Sequence, residues 1–283
     1  MVFSRSQWRL ILHPPKRGAW NMAVDEAILE AVGRAEALPT LRLYAWSPPC
    51  LSLGYAQSLG DVDQEALATL GWDIVRRPTG GRAILHTDEL TYSVIGPPDD
   101  PRLSNGVLES YRNLSRALLR GLTTLGINAE SVEINPQTGA NETSKESKKT
   151  PNPICFEVPS NFEITLNGKK LIGSAQARRK EGVLQHGTLP LHGDHTRIIQ
   201  ALRFSDENTR QRARTRLLER ATTVQLGTGR ELEWERAAES IVKAFQTELS
   251  LDFIPGELSS SEVARARELE NVKYSNLDWT GRS

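Results

Sequence analysis

The sequence predicts an α+β protein built around a mixed sheet with much antiparallel pairing. Three observations lead there. Strand-like and helix-like runs follow one another without the regular βα alternation that a parallel sheet requires. Asn167-Gly168 stands between two alternating runs, the short pattern that most favours a β-hairpin. Residues 107–125 carry apolar side chains at helical spacing, a long amphipathic helix able to cover a sheet face.

Residues 8–12 read as a first strand, stopped by Pro14-Pro15. Asn21 offers an N-cap to a helix through Val32, with Asp25 and Glu26 placed to complement the positive end of its dipole. Val24, Ile28, Ala31 and Val32 form its apolar stripe. Residues 40–46 alternate as a strand, Pro48-Pro49 interrupts, and 50–53 resume, with Cys50 read as a packing residue. Residues 62–70 read as a helix. Residues 72–76 form a strand that enters the turn Pro78-Thr79-Gly80-Gly81, and 82–85 return from it as the second arm. Residues 90–95 form a further strand that ends at Pro97-Pro98. In the long helix, Leu108, Tyr111, Leu114, Leu118, Leu122 and Leu125 mark the core face. The polar stretch 135–152 reads as a mobile surface loop. Residues 182–191 return to strand, 196–202 to helix, and 208–220 to an exposed, charged, partly helical stretch. Residues 234–249 form an amphipathic helix, and 258–267 a last one.

The chain has 283 residues with 35 Lys+Arg against 35 Asp+Glu. This length can bury a full core. A net charge of zero argues against a nucleic-acid or membrane-surface binder, which would use a long-range field. Two cysteines imply no disulfide framework, and neither CxxC nor a Cys/His zinc spacing occurs. The apolar run 10–12 is too short for a signal peptide or a spanning helix, so a cytoplasmic, soluble protein is expected.

The chemistry concentrates around the hairpin. Its arms lie side by side, so Cys155 ahead of the first strand is placed to meet Lys170 early in the second. An ammonium beside a thiol favours the thiolate, which is the nucleophile. Alternation puts Lys169 and Lys170 on opposite faces, so one of them can face a pocket. The bland alternatives are a solvated strand lysine and a cysteine serving as a small hydrophobe. The turn in RRPTGGRAILH is not a P-loop, because the GxxxxGK[ST] spacing and the following helix are absent.

Taken together, RRPTGGRAILH, ELTYSV, KKLIGSAQ and QHGTLPL resemble the biotin/lipoate protein ligase superfamily in its lipoate branch. NMAVDEAIL, PPCLSLGYAQ and KYSNLDWT fit the same pattern, so the resemblance spans nearly the whole chain. It implies a fold like that of class II aminoacyl-tRNA synthetases and biotin and lipoate ligases, a mixed, mostly antiparallel sheet flanked by helices. It implies a catalytic domain over 1–250 with the loop 135–152, then a C-terminal helical extension over 251–283. Within the branch, ICFEVPS before KLIGSAQ is similar to the LipM-type octanoyltransferases, whose nucleophilic cysteine precedes the lysine. The implied reaction moves octanoyl from octanoyl-acyl-carrier-protein through a Cys155 thioester to a lysine of a lipoyl domain or of the glycine-cleavage H protein. Lys170 then lowers the thiol pKa and acts as acid and base. Arg77, Thr79, Gly80, Gly81, His86, Gly173, Ser174 and His186 are the expected substrate-binding positions. Arg76, Arg77 and Arg82 read either as contacts to the carrier's phosphopantetheine phosphate or acidic surface, or as ordinary surface charges. No metal and no cofactor are implied, and the protein is expected to act as a monomer. The alternatives are an ATP-dependent lipoate–protein ligase, a LipL-type amidotransferase, and a nonenzymatic carrier-binding relative.

Overall fold

The computed structural model describes residues 3–133 and 162–282. Its main sheet has eight strands, in the spatial order β11 (Leu251–Pro255), β1 (Ser6–Leu12), β2 (Thr40–Tyr44), β6 (Glu89–Gly96), β10 (Val183–Pro190), β9 (Lys169–Arg178), β8 (Phe162–Leu166) and β7 (Glu130–Glu133). β1 pairs in parallel with both β11 and β2, and every other pairing in this sheet is antiparallel. A smaller sheet sets β3 (Cys50–Leu53) between β4 (Asp73–Arg76) and β5 (Ile84–His86). The α+β expectation with a mixed, mostly antiparallel sheet holds.

Strand alternation divides the core into layers. Leu41 and Leu43 of β2 and Tyr92 and Val94 of β6 face α3 (Gly106–Thr124) and α6 (Trp234–Leu249). Both helices are amphipathic, and α6 buries Ile241, Phe245 and Leu249 on this face, each contributing roughly 1.5–3 kcal/mol. Tyr44 and Ile95, on the opposite face, meet α1 (Gly18–Gly33), which is covered in turn by α7 (Ser260–Leu269). α2 (Gln64–Leu70) and α4 (Glu207–Arg220) pack a third cluster with Leu51 and Leu53 of the small sheet. Among the described residues, no helix is long and apolar enough to cross a membrane.

The Asn167-Gly168 turn forms as expected, with φ of 53° and 74° at its two central residues. Positive φ at both is the type I′ geometry that matches strand twist.

Several local readings change. α1 starts at Gly18, and Arg17 precedes it without a side-chain cap. Asn21 lies inside the helix, where its amide donates to Lys16 O and Ala45 O at 3.1 Å each. Asp25 and Glu26 are therefore buried mid-helix rather than placed at a dipole end. The glycine turn does not tip a hairpin, because β3 is inserted between β4 and β5 and pairs with both. Leu108, read as core, is 51% exposed. The strands β7 and β11, the short helices α5 (Val224–Thr228) and α8 (Leu277–Gly281), and a π-helical turn at Glu270–Tyr274 had no clear local signal. The chain from 251 onward thus opens with a strand that hydrogen-bonds along β1 before its helices begin. The loop 135–152 lies outside the described residues.

Candidate active site

A cavity of about 260 Å³ lies between the two sheets, near the lower end of small-ligand sites. Met22, Tyr44, Trp46, Ile84 and Ala175 supply apolar lining, while Lys170, His86 and His186 bring polar groups to its wall. An aliphatic chain with one polar end suits such a lining.

Lys170 reaches this cavity because of a bulge. Thr165 pairs with Lys170 but Ile164 pairs with Ile172, so Leu171 is the extra residue on β9. A bulge re-aims side chains beside it: Leu171 and Ile172 both enter the core under α3, and Lys170 turns to the cavity. Its Nζ donates to Glu163 Oε1 of β8 at 2.7 Å, and only 4% of the residue is exposed. Lys169 points the other way and donates to Leu218 O on an exposed edge. The opposite-face expectation for these lysines holds. Cys155 lies outside the described residues.

Two histidine chains stiffen the wall. Ser52 Oγ lies 2.7 Å from His86 Nε2, and His86 Nδ1 lies 2.7 Å from Glu89 Oε1. Trp46 stacks on the His86 ring at 4.0 Å and donates its indole N–H to Thr91, whose hydroxyl donates to Glu89. In the second chain, Thr79 Oγ1 lies 2.6 Å from His186 Nε2, and His186 Nδ1 lies 3.7 Å from Asp25 Oδ2. Burial pushes His186 below the usual imidazole range, which outweighs the opposing pull of Asp25. For Asp25, burial favours the neutral acid. Arg42, at 2.7 Å, together with the nearby His186 ring and the Ser93 hydroxyl, which donates at 2.6 Å, outweighs burial and holds the carboxyl below its ordinary range. Cys50 is fully buried, and burial, with Asp73 and Glu89 nearby, pushes its thiol well up, which fits a packing residue.

The glycine turn is pinned rather than free. Arg77 donates to Gly80 O, Arg82 O and Ser52 O at 2.8, 2.8 and 3.0 Å. Gly81 takes φ of 94°, a left-handed value that glycine adopts at little cost. A Cβ on Gly54 would sit 1.9 Å from Gly81 O, so the end of β3 needs a glycine to touch this turn. Arg76 is fully buried and donates to Gly54 O, Gln57 O and Thr280 O. That removes it from any surface contact with a carrier.

Of the positions expected from sequence, Lys170, Arg77, Gly81, His86, Gly173, Ser174 and His186 line this cavity. Thr79 stands behind His186. Gly80 is exposed on the outer side, lining a separate shallow groove. Ser174 Oγ lies 2.7 Å from Tyr92 OH. Sequence reading missed Asp25, Glu89, Ser52, Trp46 and Glu163. One signal was present for Asp25: it falls four residues after Asn21 and three before Ile28, so an acid on the buried stripe demanded a buried partner. Thr188 was also missed; its hydroxyl is buried in the cavity wall with no hydrogen-bond partner among the described residues. No group of three His, Cys, Asp or Glu side chains among the described residues could hold a metal ion.

The family model for the lipoyl protein ligase A/B catalytic domain matches residues 17–246. The chain is 40% identical over 277 residues to octanoyltransferase LipM of Kyrpidia tusciae, covering 97% of this chain and 98% of that protein. It is 41% identical over 278 residues to octanoyltransferase LipM of Moorella thermoacetica, covering 97% and 98%. Among solved structures it resembles a bipartite lipoate protein ligase from Thermoplasma acidophilum, with a TM-score of 0.78 and 25% identity, covering 98% and 97% of the two chains. It also resembles a lipoate-protein ligase A bound with ATP, with a TM-score of 0.77 and 25% identity, covering 98% and 99%. With the matched region spanning most of its length, and the glycine turn and lysine strand meeting at one cavity, the chain belongs to the lipoyl protein ligase A/B catalytic-domain family.

Proposed function

We propose that this protein is an octanoyltransferase that takes octanoyl from octanoyl-acyl-carrier-protein and delivers it to a lysine of a lipoyl domain or of the glycine-cleavage H protein. The observation that carries this reading is Lys170, turned by the Leu171 bulge into a largely apolar cavity that also receives the glycine turn. Two relatives that share about two-fifths of their residues with the chain over nearly its whole length, both octanoyltransferases, support it.

In the first step the Cys155 thiolate attacks the thioester carbonyl, and the carrier leaves as its thiol after taking a proton. Lys170 is the acid that supplies that proton, and its ammonium favours the thiolate beforehand. In the second step the acceptor amine attacks octanoyl-Cys155, loses a proton to Lys170, and releases the cysteine as the amide forms. The first exchange trades one thioester for another, and the second runs downhill from thioester to amide. Neither step needs ATP. The apolar lining takes the aliphatic chain.

Intact-mass measurement after mixing with octanoyl-carrier protein, without nucleotide or magnesium, tests this. One hydroxylamine-labile octanoyl adduct is expected, absent in Cys155→Ala. Adduct formation in that variant, or an absolute requirement for ATP with free lipoate or octanoate as donor, would move the protein to a different mechanism.

A further inference from the structure

The glycine turn has two sides. Gly81 lines the buried cavity and also a shallow surface groove bounded by Tyr55, Gly80, Arg178, Arg179, Lys273 and Trp279. The turn is therefore a threshold between open solvent and the cavity that holds Lys170. At Gly80 a Cβ would meet nothing within 4 Å among the described residues, and the residue itself is exposed.

The groove is cationic in a chain whose net charge is zero. Glu26 binds Arg179 at 2.7 Å and Lys273 at 2.6 Å and also accepts from Tyr274, so one buried carboxylate serves two of the cations. Arg178 Nη1 donates to Leu103 O at 2.8 Å and to Gln176 Oε1 at 3.2 Å, and no carboxylate among the described residues pairs with it. The Arg282 guanidinium stacks on Tyr55 at 3.8 Å and Trp279 at 3.7 Å from the ring centroids. Its Nη2 is buried without a hydrogen-bond partner among the described residues. Arg178 lines the groove and is exposed, and Arg282 stands just behind it, stacked on two of its lining rings; neither has a carboxylate partner among the described residues, and guanidinium groups so placed beside the glycine turn suit a phosphate.

We propose that this groove binds the phosphodiester of the acyl donor's phosphopantetheine arm, so that the arm passes over Gly80-Gly81 and carries its thioester into the cavity. The proposal rests on the octanoyl-donor reading above and adds where the donor is gripped and by what charge.

The test compares octanoyl-4′-phosphopantetheine with octanoyl-pantetheine as donors for acylation of Cys155, followed by intact mass. The two differ by the phosphate alone. The phosphorylated donor is expected to show a KM lower by roughly tenfold, a gap that narrows as salt is raised because the groove is exposed. In the paired substitution Arg178→Gln with Arg282→Gln, checked for an unchanged unfolding temperature, the KM ratio should fall toward one. Should that variant fold poorly, competition in the wild type decides, with phosphopantetheine inhibiting more strongly than pantetheine. Equal KM values for the two donors in the wild-type protein overturn the proposal. Equal donors together with strong protection by ATP would assign the groove to a nucleotide and also overturn it. If neither donor acylates Cys155, the octanoyl-donor reading fails, and the phosphate assignment fails with it.

Discussion

Lys170 and Glu163 face each other across the β8–β9 hairpin, with Nζ 2.7 Å from Oε1. The lysine proposed for acid–base work is thus held by a carboxylate from the other arm, which orients it and moderates the field it casts into the cavity.

That pairing gives a graded prediction. Lys170→Ala should shift the pH profile of Cys155 alkylation by iodoacetamide to higher pH and slow turnover by a factor on the order of a hundred. Glu163→Gln removes the opposing charge and should shift the alkylation profile to lower pH. Lys169→Ala should leave it in place, since that side chain is tied to Leu218 O on the other face. A larger effect from Lys169→Ala than from Lys170→Ala would overturn the acid–base role proposed for Lys170.

Asp25 is fully buried and ion-paired to Arg42 at 2.7 Å. Replacing it by Asn leaves a buried guanidinium without its carboxylate, a change that typically costs about 3–5 kcal/mol. Urea unfolding at pH 7 checks this, and a loss below about 1 kcal/mol would show that Tyr44, Ser93 and His186 re-form the network without the charge.

His13 makes stability depend on pH. Arg42 Nε donates to His13 Nδ1 at 3.0 Å, which needs the neutral ring. Burial first, then Arg42, lowers its pKa from 6.5 to about 4. The unfolded chain takes up this proton near pH 6.5 and the folded protein only near pH 4. The contribution is therefore fully present above pH 6.5 and is lost as pH falls toward 4, by at most about 3 kcal/mol. His186 and His195, also lowered by burial, add slope in the same direction. In His13→Asn, whose amide oxygen can still accept from Arg42, urea midpoints between pH 6.5 and 4 should fall less steeply than in the wild type. An identical slope would remove His13 as a source.

Arg76 ties the end of the chain to the glycine turn: it donates to Thr280 O at 2.6 Å, and Trp279 Nε1 donates to Arg76 O at 2.8 Å. Lys in its place cannot reach carbonyls on both sides, so Arg76→Lys should cost roughly 3 kcal/mol. Limited proteolysis should then release the segment that contains Leu277–Gly281. Stability and protease resistance equal to wild type would show the clamp to be dispensable.

What the sequence determined by itself was whatever depends on near neighbours. The Asn167-Gly168 turn, the opposite faces of Lys169 and Lys170, and the leucine face of α3 from Leu114 onward follow from backbone φ preferences and from periods of 2 and 3.6, which are local. The motif resemblance went further and brought the glycine turn and the lysine strand to one family and one expected reaction. Tertiary structure alone decided what these elements meet. Ser52 and His86 are 34 residues apart and Thr79 and His186 are 107 apart, so no local pattern could pair them. The helix reading failed at Asn21 and Asp25 because a polar side chain that caps a helix and one that bonds across a sheet look alike in sequence. β3 entered between β4 and β5 for the same reason: a glycine turn permits a hairpin, but hydrogen bonding to a third strand took both arms. β11 exists because the edge of β1 had backbone groups to satisfy, a requirement set by a strand more than two hundred residues away.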